Sequence, residues 1–272
     1  THILKYHIGS LYTPIQPAVM GTDGAISYVE LSPDAQLQGF IYCYWNLKTT
    51  QPLGDIYDYR VVSDGCIDVI FNRTDHDEAY IMGYCNSFVK IGLNKEFNYF
   101  GIRFLPGIFP LLFNIDASEL SNHYECLNAV QSCLHILIRQ LENKYLCLQD
   151  LCDALNIYFI NLTSKIDKLL DSRFFYALET ILKSKGLINI EKDLNNGISS
   201  RHLQRLFNFY IGDTAKSFCR IVRFQNLLKI DPSIKLIIAE KSFYDFGYYD
   251  QSHFIKEFKL FYGKTPSKVI VE

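Results

Sequence analysis

The feature that most constrains this chain is a repeat close to its C-terminal end. Residues 200–215 align without a gap with residues 251–266, at an offset of 51 positions. Hydrophobic and aromatic residues recur in both copies at the spacing of one helix face. The matching pairs are His202 and His253, Leu203 and Phe254, Arg205 and Lys256, Phe207 and Phe258, Gly212 and Gly263, and Thr214 and Thr265. The chain therefore uses one structural unit twice.

Each copy is preceded by a glycine, Gly197 in the first and Gly247 in the second. Glycine adopts the left-handed backbone conformation that turns a chain sharply at a helix end. Polar residues follow each glycine and can cap the next helix through their side-chain oxygens. This order of parts is typical of a helix-turn-helix, whose second helix enters the DNA major groove by its N-terminal portion.

The segment between the copies, residues 215–229, has helical apolar spacing and contains neither glycine nor proline. We therefore expect one continuous helix that acts as a rigid rod. Such a rod would hold the two units at a fixed separation. Both second helices could then enter successive major grooves on one face of a duplex, about 34 Å apart.

Three stretches carry a closer resemblance: residues 200–207 (SRHLQRLF), residues 247–259 (GYYDQSHFIKEFK) and residues 263–267 (GKTPS). They resemble the double helix-turn-helix domain of the AraC/XylS transcription regulators over about residues 172–270. The resemblance implies a bacterial transcription activator or repressor that binds double-stranded promoter DNA in a sequence-specific manner. It also implies contact with RNA polymerase, and an N-terminal domain that senses a small-molecule effector, forms a homodimer, or does both.

The resemblance also implies which side chains read the DNA. In the first recognition helix they are Ser200, Arg201, Gln204 and Arg205, and in the second Asp250, Gln251, Ser252, Ile255 and Lys256. Arginine and glutamine can make bidentate contacts to guanine and adenine edges, and an outward isoleucine can meet a thymine methyl. Contacts to phosphates, which position the protein without specifying sequence, are expected from Asn208, Lys259 and Lys264.

Two departures from the family pattern concern the helices that support the recognition helices. Residues 190–197 are about one residue short, with polar residues next to the turn, and Phe243 stands where a small alanine is usual. An alternative function is therefore a ligand-sensing or protein-interaction module with impaired DNA binding. A cupin-type enzyme is a further alternative.

The N-terminal part has short β-branched and aromatic runs between turn residues, which predicts an all-β sandwich or barrel. The predicted strands are residues 40–45, 59–62, 66–71, 80–82, 88–91 and 99–104. Residues 44–45, 63–71 and 101–107 also resemble the cupin-like domain that precedes the helix-turn-helix module in some AraC/XylS members. Within these runs Asp64 is interpreted as a turn residue, and Arg103 either binds an anionic ligand or, as we favour, lies on a solvated face.

From about residue 117 the pattern becomes helical, with apolar residues every three or four positions up to residue 170. This stripe is either intramolecular core or a helix-pair seam between two copies. The expected fold class is α+β with two domains, an N-terminal β-barrel or cupin-like domain with following helices and an all-α double helix-turn-helix. The expected boundaries are 1–116 for the β-domain, 117–171 for the helical linker and 172–272 for the DNA-binding domain.

Charge is distributed unevenly along the chain. Residues 172–272 contain 16 Lys and Arg against 10 Asp and Glu, a net charge of +6, whereas residues 1–171 carry a net charge of −8. A basic C-terminal part indicates a polyanionic partner for that part alone. Apolar runs are far shorter than a membrane span and the start lacks a secretory pattern, so we expect a soluble cytoplasmic protein without a membrane partner.

Motifs of catalysis and metal binding are missing from the sequence. It has no Gly-x-Ser-x-Gly, no phosphate-binding glycine-rich loop and no paired-histidine metal motif. None of the eight cysteines forms a Cys-x-x-Cys pair, so we expect them to be structural. His202 and His253 are expected to pack or to make local hydrogen bonds. The sequence thus predicts no catalytic residue, no metal and no cofactor.

Overall fold

The computed structural model describes residues 8–17, 24–75, 77–145, 147–166, 171–194, 197–229 and 242–269. Its strands are β1 Ile26–Leu31, β2 Ile41–Thr49, β3 Tyr57–Val61, β4 Ile67–Asn72, β5 Ala79–Met82, β6 Val89–Leu93, β7 Asn98–Phe104 and β8 Tyr124–Cys126. Six of them match the strands expected from the sequence. β1 and β8 were not expected, because their short runs include charged residues and lack an aromatic cluster.

The strands form two antiparallel sheets. The larger has the order β1-β2-β7-β4-β5-β8, and the smaller pairs β3 with β6. In the larger sheet β7 is central, with Trp45 of β2 and Ile70 of β4 both opposite Gly101. Gly101 is needed there, because a Cβ at that position would lie 2.0 Å from the Trp45 indole. The N-terminal part is thus a β-rich unit with two antiparallel sheets, as the sequence predicted.

The helices are α1 Ile8–Leu11, α2 Ile108–Phe113, α3 Leu127–Val130, α4 Ser132–Lys144, α5 Leu148–Thr163, α6 Ser172–Lys183 and α7 Ile190–Asp193. Those nearest the C-terminus are α8 Ser200–Ile211, α9 Ala215–Leu228, α10 Gln251–Tyr262 and α11 Pro266–Val269. Within the part of the chain that the structure describes, no helix is long and apolar enough to cross a bilayer. The fold is therefore a mixed one, with a β-rich N-terminal part and a helical C-terminal part.

The apolar stripe of the middle helices packs inward. Leu134 and Ile138 of α4 and Leu151, Leu155 and Phe159 of α5 are all buried in the main core. Of the two interpretations of this stripe, the structure supports intramolecular core for these residues. Positions 167–170, which extend the stripe in the sequence, lie outside the described residues.

One hydrophobic cluster runs from the β-sheets into the C-terminal helices. A second and smaller cluster lies between the two sheets around Trp45 and Tyr59. Phe174 of α6 illustrates the continuity, since a Cβ on Gly107 before α2 would lie 2.7 Å from its ring. Packing at interior density leaves little room for such a shift. The β-domain and the helical region therefore support each other directly.

Candidate DNA-binding surface

The two repeat units have the same helical frame. α8 and α10 each span 12 residues and begin 51 positions apart. At the start of α8 the side chain of Ser199 accepts a hydrogen bond from the backbone N–H of His202, and Asp250 does the same for His253 at 2.7 Å. Each helix ends at a left-handed glycine. The sequence repeat is thus a structural repeat, set by side-chain caps and glycine ends.

The turn before each recognition helix contains a second left-handed glycine. Gly197 has a φ of 74° and Gly247 a φ of 73°, as expected for a helix-turn-helix turn. Among the described residues, a Cβ at Gly197 would meet no atom within 4 Å, whereas at Gly247 it would lie 2.5 Å from Leu187. Both turns therefore require the left-handed backbone conformation, and at Gly247 the end of the exposed Leu187 side chain would have to move aside for an added Cβ.

The supporting helices differ between the units. α7 is a single turn, Ile190–Asp193, in keeping with the shortened segment in the sequence. Before Gly247 the chain forms a 3-10 helix at Ser242–Phe246, in which Phe243 is buried and stacks on Phe254. The residues at 195–196 and 230–241 lie outside the described part. The large residue at position 243 is thus accommodated by packing on the recognition helix.

The apolar faces of α8 and α10 are anchored in the core. Phe207 packs edge-on against Phe174 of α6 with ring centroids 5.2 Å apart. Phe258 packs edge-on against Phe224 of α9 at 5.8 Å. Fully burying a large apolar side chain contributes about 1.5–3 kcal/mol. These contacts fix the rotation of each helix about its axis, and with it the side that faces solvent.

The opposite sides carry the residues expected to read DNA. Ser200, Arg201, Gln204, Arg205, Gln251, Ser252 and Lys256 are exposed, as are Asn208 and Lys259 of the phosphate set. Ile255 is half-buried against the core, which leaves only part of it for a base contact. Lys264 is half-buried. Asp250 has a structural task, since its carboxylate caps α10.

The exposed faces of the two helices are basic. α8 contains Arg201 and Arg205 and no acidic residue. The acidic residue within α10, Glu257, is 4% exposed and pairs with Arg220 of α9 at 2.5 Å. This ion pair between α9 and α10, which joins residues 37 positions apart, was not expected from the sequence. It removes one carboxylate from the face of α10, on which Lys256 and Lys259 remain exposed to a polyanion.

His253 makes local contacts within its own turn and helix, as the sequence analysis expected. Its Nδ1 accepts a hydrogen bond from the backbone N–H of Tyr249 at 3.3 Å, and its Nε2 lies 3.6 Å from Glu257. Over the part of the chain that the structure describes, no three His, Cys, Asp or Glu residues are grouped to hold a metal ion.

The rod between the units is one helix, α9, of 14 residues, or about 20 Å at 1.5 Å per residue. Thr214 caps its start by accepting a hydrogen bond from Ser217 N–H at 3.1 Å. Most of its side chains are buried, including Phe218, Ile221 and Phe224. The continuous helix predicted from the sequence is present, and it is embedded between the other elements.

One expectation for the β-domain is wrong. Arg103 does not lie on a solvated face: it is 2% exposed, and its guanidinium donates to Asp68 at 2.8 Å and lies 3.6 Å from Asp64. The alternation of polar and apolar residues along β7 predicts an exposed position for Arg103. In the structure both faces of β7 are covered, so this polar position is buried as well. Burial raises the pKa of Asp68, and the charge of Arg103 opposes that shift. Asp64 does occupy the expected turn, accepting from Cys66 N–H.

Two family models match separate parts of the chain. Residues 195–270 match the model of a helix-turn-helix domain family, and residues 29–125 match that of a domain of unknown function, DUF6597. The crystal structure of ToxT from Vibrio cholerae O395 aligns with 92% of this chain and 98% of that chain, at 14% identity and a TM-score of 0.38. A comparison with curated proteins found no match.

The class of protein follows from the C-terminal match and the two capped recognition helices. The C-terminal region is a helix-turn-helix domain of the AraC type, as the resemblance implied. The chain thus combines a β-rich N-terminal domain with an AraC-type DNA-binding module.

Proposed function

We propose that this protein is a sequence-specific transcription regulator that reads two successive major grooves of promoter DNA with α8 and α10. The observation that carries the proposal is the matched pair of helices, each anchored by a phenylalanine on one side and exposing polar and basic residues on the other. A single amphipathic helix is common among soluble proteins. Two with equal length, equal caps and a helical rod between them favour a duplex as the ligand.

The two helices contribute different chemistry to this reading. Arg205 and Gln204 offer bidentate donors and acceptors for guanine and adenine edges. Gln251 does the same at the start of α10, where the N-terminal portion of a recognition helix enters the groove. Lysines further along α10 suit phosphate contacts, which add affinity without sequence preference. Each bidentate base contact is worth about 1–3 kcal/mol of discrimination.

We also propose that the β-domain modulates DNA binding through the ends of these helices. Ser121 Oγ donates to the carbonyl of Gly212, which ends α8, at 2.8 Å. Phe88 N–H donates to the carbonyl of Leu260 near the end of α10 at 3.0 Å, and the Phe88 ring packs on Gly263. Both recognition helices are therefore held from the β-domain at their C-terminal ends. A shift of these loops would change the relative placement of the two helices.

The helix between the two units, α9, is also held by contacts with the β-domain. The Tyr84 hydroxyl and Ser217 Oγ are 2.8 Å apart, and Phe218 lies against Gly65. Three further contacts remain predictions from the family resemblance: one with a small-molecule effector, one with RNA polymerase and one with a second copy of the chain.

The test is selection of bound sequences from random duplex DNA by the full-length protein, followed by affinity measurements over a range of salt. We expect an enriched bipartite site and an affinity that falls steeply with salt as counterions are released. Arg205→Ala and Gln251→Ala should each weaken specific binding by about 1–3 kcal/mol. Arg139→Ala in α4 and Gln149→Ala in α5 are matched controls, because both residues are exposed far from the recognition helices in sequence.

A second candidate function is favoured by the single turn of α7, which gives the first recognition helix little support. In that case the protein is a ligand-sensing or protein-interaction module with impaired DNA binding. Selection that returns no enriched site, together with unchanged binding in the two variants, would contradict the first proposal and support this one.

A further inference from the structure

A cavity of about 160 Å³ lies within the β-domain, between the larger sheet and the β3–β6 pair. That volume has room for roughly ten water-sized groups. Strands of both sheets line it, so a ligand there would be enclosed by the sandwich. Five aromatic residues and one carboxylate define its character: Trp45, Tyr59, Tyr80, Tyr99, Tyr124 and Glu78.

The aromatic residues extend from the floor of the cavity to its opening. Trp45 and Tyr59 are buried, with exposures of 2% and 5%, whereas Tyr124 is 56% exposed. Tyr80 and Tyr124 form an edge-to-face pair with centroids 5.5 Å apart. The faces of aromatic rings carry partial negative charge and attract cations, most strongly where water is excluded. A chamber lined in this way suits a cationic group.

The formal charge of the lining residues also favours a cationic ligand. Among the described residues that line the cavity, Glu78 carries the only formal charge. Its carboxylate is fixed, because Tyr99 Oη and Asn72 Nδ2 each donate to it at 2.7 Å. A half-buried carboxylate held in this way attracts a cation and repels an anion.

The floor of the cavity lies next to a buried group of charged residues. The indole N–H of Trp45 donates to Asp68 at 3.1 Å. Asp68 belongs to the buried group in which the single guanidinium of Arg103 faces two carboxylates, its own and that of Asp64. The aromatic lining and the Glu78 carboxylate together therefore have the chemistry of a site for a positively charged ligand.

We propose that this cavity binds a small organic cation, an amine or quaternary ammonium compound with an apolar or aromatic body. The cationic group is placed next to Glu78 and the tyrosine rings, and the apolar body against the lining from β4 to β6. A ligand of about ten non-hydrogen atoms fills the volume. Binding of the cation to the cavity does not depend on the proposed function. Its further role as the effector of DNA binding does rest on the proposed function.

The test uses the single tryptophan of the chain as the reporter, because Trp45 lines the cavity. Full-length protein is titrated with three probes of similar size: 2-phenylethylamine, which is cationic at neutral pH, 2-phenylethanol, which is neutral, and phenylacetate, which is anionic. Fluorescence and calorimetry measure binding of each. We expect the amine to bind at least about tenfold more tightly than the alcohol, and phenylacetate to bind least.

Matched variants locate the charge selectivity. Glu78→Gln should remove about tenfold of the amine affinity and leave that of the alcohol unchanged. Glu96→Gln, at an exposed glutamate outside the cavity lining, should change neither. Should Glu78→Gln fail to fold, judged by its thermal unfolding, Tyr80→Leu provides a second variant that lowers amine affinity more than alcohol affinity. Equal or tighter binding of phenylacetate, no binding of any probe, or unaltered amine preference in these variants would overturn the proposal.

Binding to the cavity and binding to DNA are measured separately. Amine binding with no enriched DNA site contradicts the proposed function and supports the cavity proposal. An enriched DNA site with no amine binding contradicts the cavity proposal alone. If the amine shifts the affinity for the selected duplex in the wild type and not in Glu78→Gln, the cation acts as effector.

Discussion

Gln225 of α9 offers the sharpest test of how the two parts of this protein are joined. Its side chain is fully buried and reaches into the β-domain. The carboxamide oxygen accepts from the backbone N–H of Ile15 at 2.7 Å, and the nitrogen donates to the carbonyl of Ser63 at 2.8 Å. We expect Gln225→Ala to weaken the docking of the DNA-binding helices on the β-domain.

The size of the effect follows from the two partners that the substitution leaves behind. A buried donor or acceptor without a partner costs about 1–3 kcal/mol. Ile15 N–H and the Ser63 carbonyl both lose their contact with Gln225, so the cost is about 2–6 kcal/mol before any water enters. At about 2–4 °C per kcal/mol for a chain of this size, a loss near 3 kcal/mol lowers the melting temperature by roughly 10 °C.

The assay is thermal unfolding of the full-length protein, combined with amide hydrogen exchange. Exchange should rise in α9 and in the segment around Ser63, because both become accessible when docking weakens. Asn226→Ala is the matched control, since the side-chain nitrogen of this neighbouring residue donates to the Val222 carbonyl within the same helix. If Gln225→Ala destabilises the protein no more than Asn226→Ala, the hydrogen bonds to the β-domain do not hold the two parts together.

Two further predictions concern the left-handed turn glycines and the buried charge of Arg103. Gly197→Ala and Gly247→Ala should each lower the melting temperature, because each strains a left-handed residue by about 1–2 kcal/mol; an unchanged melting temperature in both variants would contradict this interpretation of the turns. Arg103→Met should cost about 3–5 kcal/mol in chemical denaturation, since two buried carboxylates lose their counterion. A loss below 1 kcal/mol would show that this ion pair is not required for the fold.

Local sequence patterns predicted most of the DNA-binding module. The offset of 51 residues, the turn glycines and the apolar faces of α8 and α10 depend on contacts within a few residues or on backbone conformation alone. The six main strands were predictable for the same reason, because β-branched and aromatic runs between turns are local signals. The side of each helix that faces solvent also followed from the four-residue spacing of buried residues, Leu203 and Phe207 in α8 and Phe254 and Phe258 in α10.

The sequence could not predict contacts between distant residues. Gln225 and Ser63 are 162 positions apart, and nothing local distinguishes this buried glutamine from an exposed one on a helix. Alternation in β7 placed Arg103 outside, since a strand pattern does not show when both faces of a strand are covered. The cavity depends on two sheets facing each other, which no single strand specifies.

The sequence by itself thus determined the repeated helix-turn-helix unit, because helix periodicity, caps and glycine turns are properties of short segments. Only the tertiary structure decided how α9 is held by the β-domain, where Arg103 lies and which residues enclose the aromatic cavity. The physical reason is that burial and hydrogen bonding between elements depend on packing of the whole chain, and one-dimensional patterns do not contain that information.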